Sequence, residues 1–234
     1  MTSATVVRPS TLTRIALWLS LLIVTGSAAF LVRHYPDLPD ILPVHFNRYG
    51  FPDGWQYKTP ARVLLPVFVQ IALVLTFGAV SLLLLSRPHG ELDRDAPDVR
   101  AATAAAEAIA LIALVWVAFQ AYAAVALANM WHRERAGLGV LYTVFELTGI
   151  VGSILVFVRA HLRLGRPTPR PFNADHWRFG QLYRNPDDPA LFVPTRDGSR
   201  WTLNFGRPVA AALMGVVLAG GIVGPLLILR LLLR

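Results

Sequence analysis

Residues 35–58 read YPDLPDILPVHFNRYGFPDGWQYK, a polar stretch between the apolar runs Ile15–Val32 and Val63–Leu85. Its prolines, glycines and aspartates break helices and favour turns. A helix needs about 17–25 apolar residues to cross a hydrocarbon core, so each flanking run is long enough alone. The stretch between them is therefore an ordered loop on one face of a membrane.

Outward from this loop the pattern repeats. A third apolar run covers Ala101–Met130, a fourth Leu138–Val158 and a fifth Val209–Leu229. The third exceeds the ~20 residues a core requires and must tilt or protrude. Composition agrees: 55% of the residues are hydrophobic, 15% are charged, and the mean hydropathy is +0.51. The expected fold is an all-α integral membrane bundle of five transmembrane helices, with a small cytoplasmic β-hairpin module between helices four and five. The chain divides into 1–32 (leading segment and first helix), 33–62 (outer loop), 63–158 (helices two to four), 159–208 (cytoplasmic module) and 209–234 (fifth helix).

The first run has the look of a secretory signal, with small residues at Gly26-Ser27-Ala28-Ala29. It continues through Phe30, Leu31 and Val32, and is read as an uncleaved anchor. Basic residues set the orientation, because they are held on the cytoplasmic side. Lys and Arg number 14 on the side of the amino terminus and 8 on the other. The amino terminus is expected inside and the carboxy terminus outside, with residues 35–58 outside, in a multipass protein of the cell membrane.

The formal charge of +8 lies in arginines that flank apolar runs, so a nucleic-acid partner is not expected. The expected partners are the bilayer, a peptide or envelope ligand outside, and a cytoplasmic protein; the oligomeric state is left open. There is no cysteine, and no nucleophile–base pair, phosphate loop or metal-ligand spacing. No catalytic residue, metal or cofactor is expected.

In the cytoplasmic segment, Pro167, Pro169 and Pro171 form a linker that cannot continue the fourth helix. Alternating runs at Leu191–Thr195 and Arg200–Phe205 flank Arg196-Asp197-Gly198-Ser199, an Asp-Gly hairpin signal. Asn185-Pro186-Asp187-Asp188-Pro189 lacks the alternating ligands of a calcium loop and reads as a rigid turn. In the outer loop, His45 with Asp37, Asp40 and Asp53 offers a metal set, a partner contact, or turn chemistry.

Polar residues inside the spans form a second candidate. At 1.5 Å per residue, Thr25, Gln70, Gln120 and Glu146 lie about 11–15 Å below the outer surface on four different helices. Buried polar groups in lipid face one another or water, so the four are expected to converge, as interhelical glue or as the lining of a cavity under the loop. Glu107, nearer the inner face, ranks below them. In the last span Gly220 and Gly224 form G-x-x-x-G beside Gly221 and Pro225, which suits close helix packing or a hinge.

Both polar modules resemble known families. The pattern of Leu38, Pro39, Pro43, His45, Asn47, Gly50, Asp53 and Gly54, followed by Trp55, resembles the bacterial domain of unknown function 1648, which also occurs in SdpI-type immunity and signalling proteins. Residues Trp177, Gly180, Tyr183, Asn185, Pro186, Asp187, Asp188, Pro189, Phe192, Val193, Pro194, Gly198, Trp201, Thr202, Asn204 and Phe205 resemble domain of unknown function 5808. Neither resemblance implies a reaction. The expected function is a non-enzymatic sensor, immunity or signalling protein binding a peptide or envelope ligand. A small proton-linked carrier using Glu146 is the alternative, and a membrane-embedded enzyme comes third. The loop is then a lid over the polar layer, with His45 holding its shape.

Overall fold

The computed structural model describes residues 5–47, 49, 51–87, 96–133, 137–167 and 169–232. Five of its helices are long and apolar enough to cross a membrane, as expected of a multipass membrane protein. Strand β1 (Thr5–Val6) leads into α1 (Thr11–His34), whose Ser10 cap accepts a hydrogen bond from the Thr13 amide at 3.1 Å. A 3-10 turn at Tyr35–Asp37 precedes strands β2 (Ile41–Phe46) and β3 (Pro52–Tyr57). Next come the short α2 (Pro60–Val63), α3 (Leu65–Leu85), and β4 (Ser86–Arg87), which pairs antiparallel with β1.

Helix α4 (Pro97–Arg133) has 37 residues, about 55 Å at 1.5 Å per residue, and passes well beyond a 30 Å core. Asp98 sits in its first turn, where a carboxylate suits the helix dipole. Helix α5 (Val140–Leu164) follows, then β5 (Trp177–Arg178), β6 (Leu182–Tyr183), β7 (Phe192–Pro194) and β8 (Trp201–Leu203). The last span is broken into α6 (Pro208–Leu218), a π-helical turn (Ala219–Val223) and α7 (Gly224–Leu232).

Helix α4 is central and packs against α1, α3 and α5, while α6 and α7 lie on α3. Two apolar clusters mark its ends. One joins Leu31, Leu38, Leu42, Val63, Val67, Ala128 and Trp131 beneath the β2–β3 hairpin. The other joins Val7, Leu84, Leu85, Val99, Leu191 and Leu213, with Phe192, Leu203 and Phe205, beneath the polar module. These ends are the hairpin face and the module face.

Three boundaries differ from expectation. The loop between the first two spans is itself a hairpin: Pro43 pairs with Trp55 and His45 with Gly54, with a bulge between the two pairs. Its prolines hid the strand pattern, because proline sits in strands only where a ladder bond is dispensable. Helix α5 continues two turns past Val158 and carries Arg159 and Arg163 out of the segment assigned to the polar module. In the last span the π turn precedes Pro225, which lacks the amide that would bond the Gly221 carbonyl.

Candidate functional site

The hairpin is fixed by what it buries. Leu42 is fully enclosed, and the Trp131 indole donates to the Pro43 carbonyl at 3.0 Å. Lys58 closes the base: its Nζ donates to the Leu38 carbonyl at 2.6 Å, and its amide bonds the Asp40 carbonyl at 2.7 Å. His45 Nδ1 pairs with Asp53 Oδ1 at the exposed tip. The partner position is glycine because a Cβ on Gly54 would lie 2.9 Å from the His45 Cβ. The Asn47 side-chain oxygen accepts from the amides of Tyr49 (2.9 Å) and Phe51 (3.1 Å), which ties the turn. Gly50 lies outside the described residues. Pro39 is exposed, and so is Trp55 at 59%. Among the described residues, no group of three His, Asp or Glu side chains converges, and Asp37 and Asp40 do not join His45 and Asp53.

Between the hairpin tip and the α4–α5 corner lies an open cleft of about 580 Å³. Phe46, Tyr49, Phe51 and Tyr142 give it aromatic walls, and Asn47 and Thr143 add polar groups. Such a cleft suits a partly apolar chain with hydrogen-bonding ends.

The expected polar layer does not assemble. Thr25 is exposed and its hydroxyl bonds the Leu21 carbonyl of its own helix at 2.9 Å. Glu146 is exposed on α5, and Gln120 is half-buried. Of the four only Gln70 faces the centre: fully buried, its Nε2 donates to Ser27 Oγ and to the Val117 carbonyl, each at 3.0 Å, while its Oε1 has no partner among the described residues. Equal depth did not bring the four together, because the direction in which a helical side chain points changes by about 100° per residue.

The polar centre that does form surrounds Glu107, which is 3% exposed. Its carboxylate accepts from Ser10 Oγ (2.7 Å), Arg159 Nη1 (2.6 Å) and Arg163 Nη1 (2.5 Å), and so joins α1, α4 and α5. The sequence signal was available: Arg159 and Arg163 are spaced i, i+4 on a continuing helix, so both guanidiniums reach one side.

The polar module is organised by Asn204, which is fully buried. Its Oδ1 accepts from the amides of Asn185 (3.0 Å) and Gly206 (2.9 Å). Its Nδ2 donates to the carbonyls of Asn185 (2.8 Å), Asp188 (3.1 Å) and Ala190 (3.2 Å). Asp188 accepts from the Tyr183 hydroxyl (3.0 Å) and Arg170 (2.7 Å), and the Asn185 side chain accepts from the Asp187 amide (3.0 Å). Burial, with the Asp188 carboxylate alongside, pushes the Tyr183 hydroxyl up from its ordinary pKa. Pro186 and Pro189 are exposed in the turn these bonds hold. Trp177 stacks edge-on against Tyr183 with ring centres 5.3 Å apart, and the Trp201 indole donates to the Gly165 carbonyl at 3.3 Å. Gly180 adopts φ +75° in a second tight hairpin, which the sequence pattern had not indicated.

These two modules are also where the chain is similar to known families. Residues 21–69 match the model of Domain of unknown function (DUF1648). Residues 186–210 match Family of unknown function (DUF5808). The first match covers the second half of α1, the hairpin, α2 and the start of α3, so it takes in Ser27, Leu42 and Lys58. The second covers most of the turn, from Pro186, the β7–β8 hairpin and Asn204, and leaves Trp177, Gly180, Tyr183 and Asn185 outside it. No curated protein and no solved structure matches the chain.

Proposed function

We propose that this multipass membrane protein is a non-enzymatic sensor or immunity-type protein that binds a peptide or envelope ligand in the cleft between the hairpin and the α4–α5 corner, on the outer side of a cell membrane. The observation that carries the reading is the cleft itself: aromatic walls, polar groups at Asn47 and Thr143, and a hairpin pinned beneath by Leu42 and Trp131. A pre-formed hairpin avoids ordering its backbone when ligand arrives, which favours binding. Helix α4 supports a relay, because it carries Trp131 at the hairpin face and Val99 and Ala106 against the polar module.

The test places a photo-crosslinking phenylalanine at Phe51 in cells, with the same group at Leu227 on the last span as control. A peptide adduct at 51 that is absent at 227 is the expected result. Lipid adducts alone at both positions exclude the binding reading. Reporter fusions after Lys58 and after Asp197 check the orientation, and are expected to report opposite sides.

A further inference from the structure

We propose that Arg159 and Arg163, drawn together by Glu107 at the module-face end of α5, form a phosphate-binding site, and that its ligand is the headgroup of an anionic phospholipid. The two guanidiniums donate to the same carboxylate oxygen, Oε1, at 2.6 and 2.5 Å, so they stand side by side. Among the described residues one carboxylate, Glu107, pairs with the two guanidiniums, which leaves one positive charge over. The Glu107 side chain is 4% exposed, whereas those of Arg159 and Arg163 are 48% and 50% exposed. The anion is therefore sealed inside the bundle and the surplus cation faces outward.

Each guanidinium carries five N–H donors in a planar fork that matches phosphate oxygens. Only one Nη1 contact from each is committed to Glu107. Glu107 is itself held from a third side by Ser10, the cap of α1, so the pair rests on a fixed support. Two long side chains restrained in advance lose less freedom when an anion binds.

Depth selects the source of the phosphate. Arg159 is the twentieth residue of α5, about 29 Å from the helix start at 1.5 Å per residue, close to the 30 Å thickness of a hydrocarbon core. Arg163 lies one turn further on. The pair therefore sits at the level of the lipid phosphates, where a cation is drawn to anionic headgroups.

The full chain, reconstituted in nanodiscs and released for native mass spectrometry, tests the site with phosphatidylglycerol, phosphatidylcholine and inorganic phosphate as probes. Phosphatidylglycerol is expected to bind about tenfold more tightly than phosphatidylcholine, because both offer phosphate oxygens to the guanidiniums but the choline ammonium cancels the headgroup charge and is repelled by the surplus cation. Arg159→Gln and Arg163→Gln should each abolish that preference, while Arg166→Gln, which removes a neighbouring arginine outside the pair, should keep it. Equal binding of the two lipids, or an equal loss in Arg166→Gln, overturns the site. Capture of inorganic phosphate without lipid overturns the headgroup assignment. Should a Gln variant fail to fold, Arg163→Lys keeps the charge opposite Glu107 but loses the fork, and undiminished preference in it overturns the proposal.

Discussion

The Trp131 indole donates to the Pro43 carbonyl across 3.0 Å, and this bond joins the end of the longest helix to the first strand of the hairpin. Trp131 is only 4% exposed. Trp131→Phe should keep most of the apolar packing and lose the bond, costing about 1 kcal/mol. Hydrogen exchange across residues 41–57 should quicken while α3 stays protected. Unchanged exchange would mean that the apolar contacts alone hold the hairpin.

Asn204 is predicted to be the most sensitive polar position in the module. Asn204→Asp keeps the shape but turns an acceptor toward the carbonyls of Asn185, Asp188 and Ala190, which now receive hydrogen bonds. Buried groups left unpaired cost about 1–3 kcal/mol each, so residues 170–207 should become open to limited proteolysis. A resistant variant would contradict this role.

Glycine tolerance should follow the crowding. A Cβ on Gly206 would lie 2.5 Å from the Asn185 carbonyl carbon, which is backbone and cannot turn aside. A Cβ on Gly220 would meet the Thr76 hydroxyl at 2.4 Å, and Gly221 meets nothing within 4 Å. Thermal unfolding should rank Gly206→Ala as most damaging, Gly220→Ala next at about 1–3 kcal/mol, and Gly221→Ala nearly neutral.

Phe179 stands at φ +50° beside Gly180 at φ +75°, and is 96% exposed. The left-handed region costs a residue with a Cβ about 1–2 kcal/mol, and Asn tolerates it best among non-glycines. Phe179→Asn therefore creates Asn-Gly and should raise module stability by up to about 1 kcal/mol. A loss of stability would show that the ring has a contact of its own.

Hydrogen bonds from Ser199 and Thr195 hold the Asp197 carboxyl well below the usual carboxylate range. Because the folded pKa is depressed, the stabilisation is present above the unfolded value of about 3.9 and is lost as pH falls below it. Protection of the Ser199 amide should decline between about pH 4 and pH 2. Asp197→Asn keeps an acceptor without a charge and should remove that dependence.

The five spans were legible because the signal is local: a bilayer demands about 20 apolar residues in a row, and each run announces itself. The Asp197-Gly198 turn was legible for the same reason, since Gly198 does adopt φ +68°. The hairpin at residues 41–57 was masked by Pro43 and Pro52, and the β1–β4 pair joins segments about 80 residues apart, which no local pattern specifies.

Taken alone, the sequence determined how far along its helix each polar residue lies, because rise per residue is constant. It left open which way each residue points. Thr25 and Glu146 share a depth with Gln70 yet lie on the outside of the bundle, while Glu107, placed lower in rank, is enclosed by Ser10, Arg159 and Arg163. The rotation of each helix about its own axis was settled by packing, with α4 wedged among α1, α3 and α5. Only that contact, made between residues far apart in the chain, decided which polar groups meet.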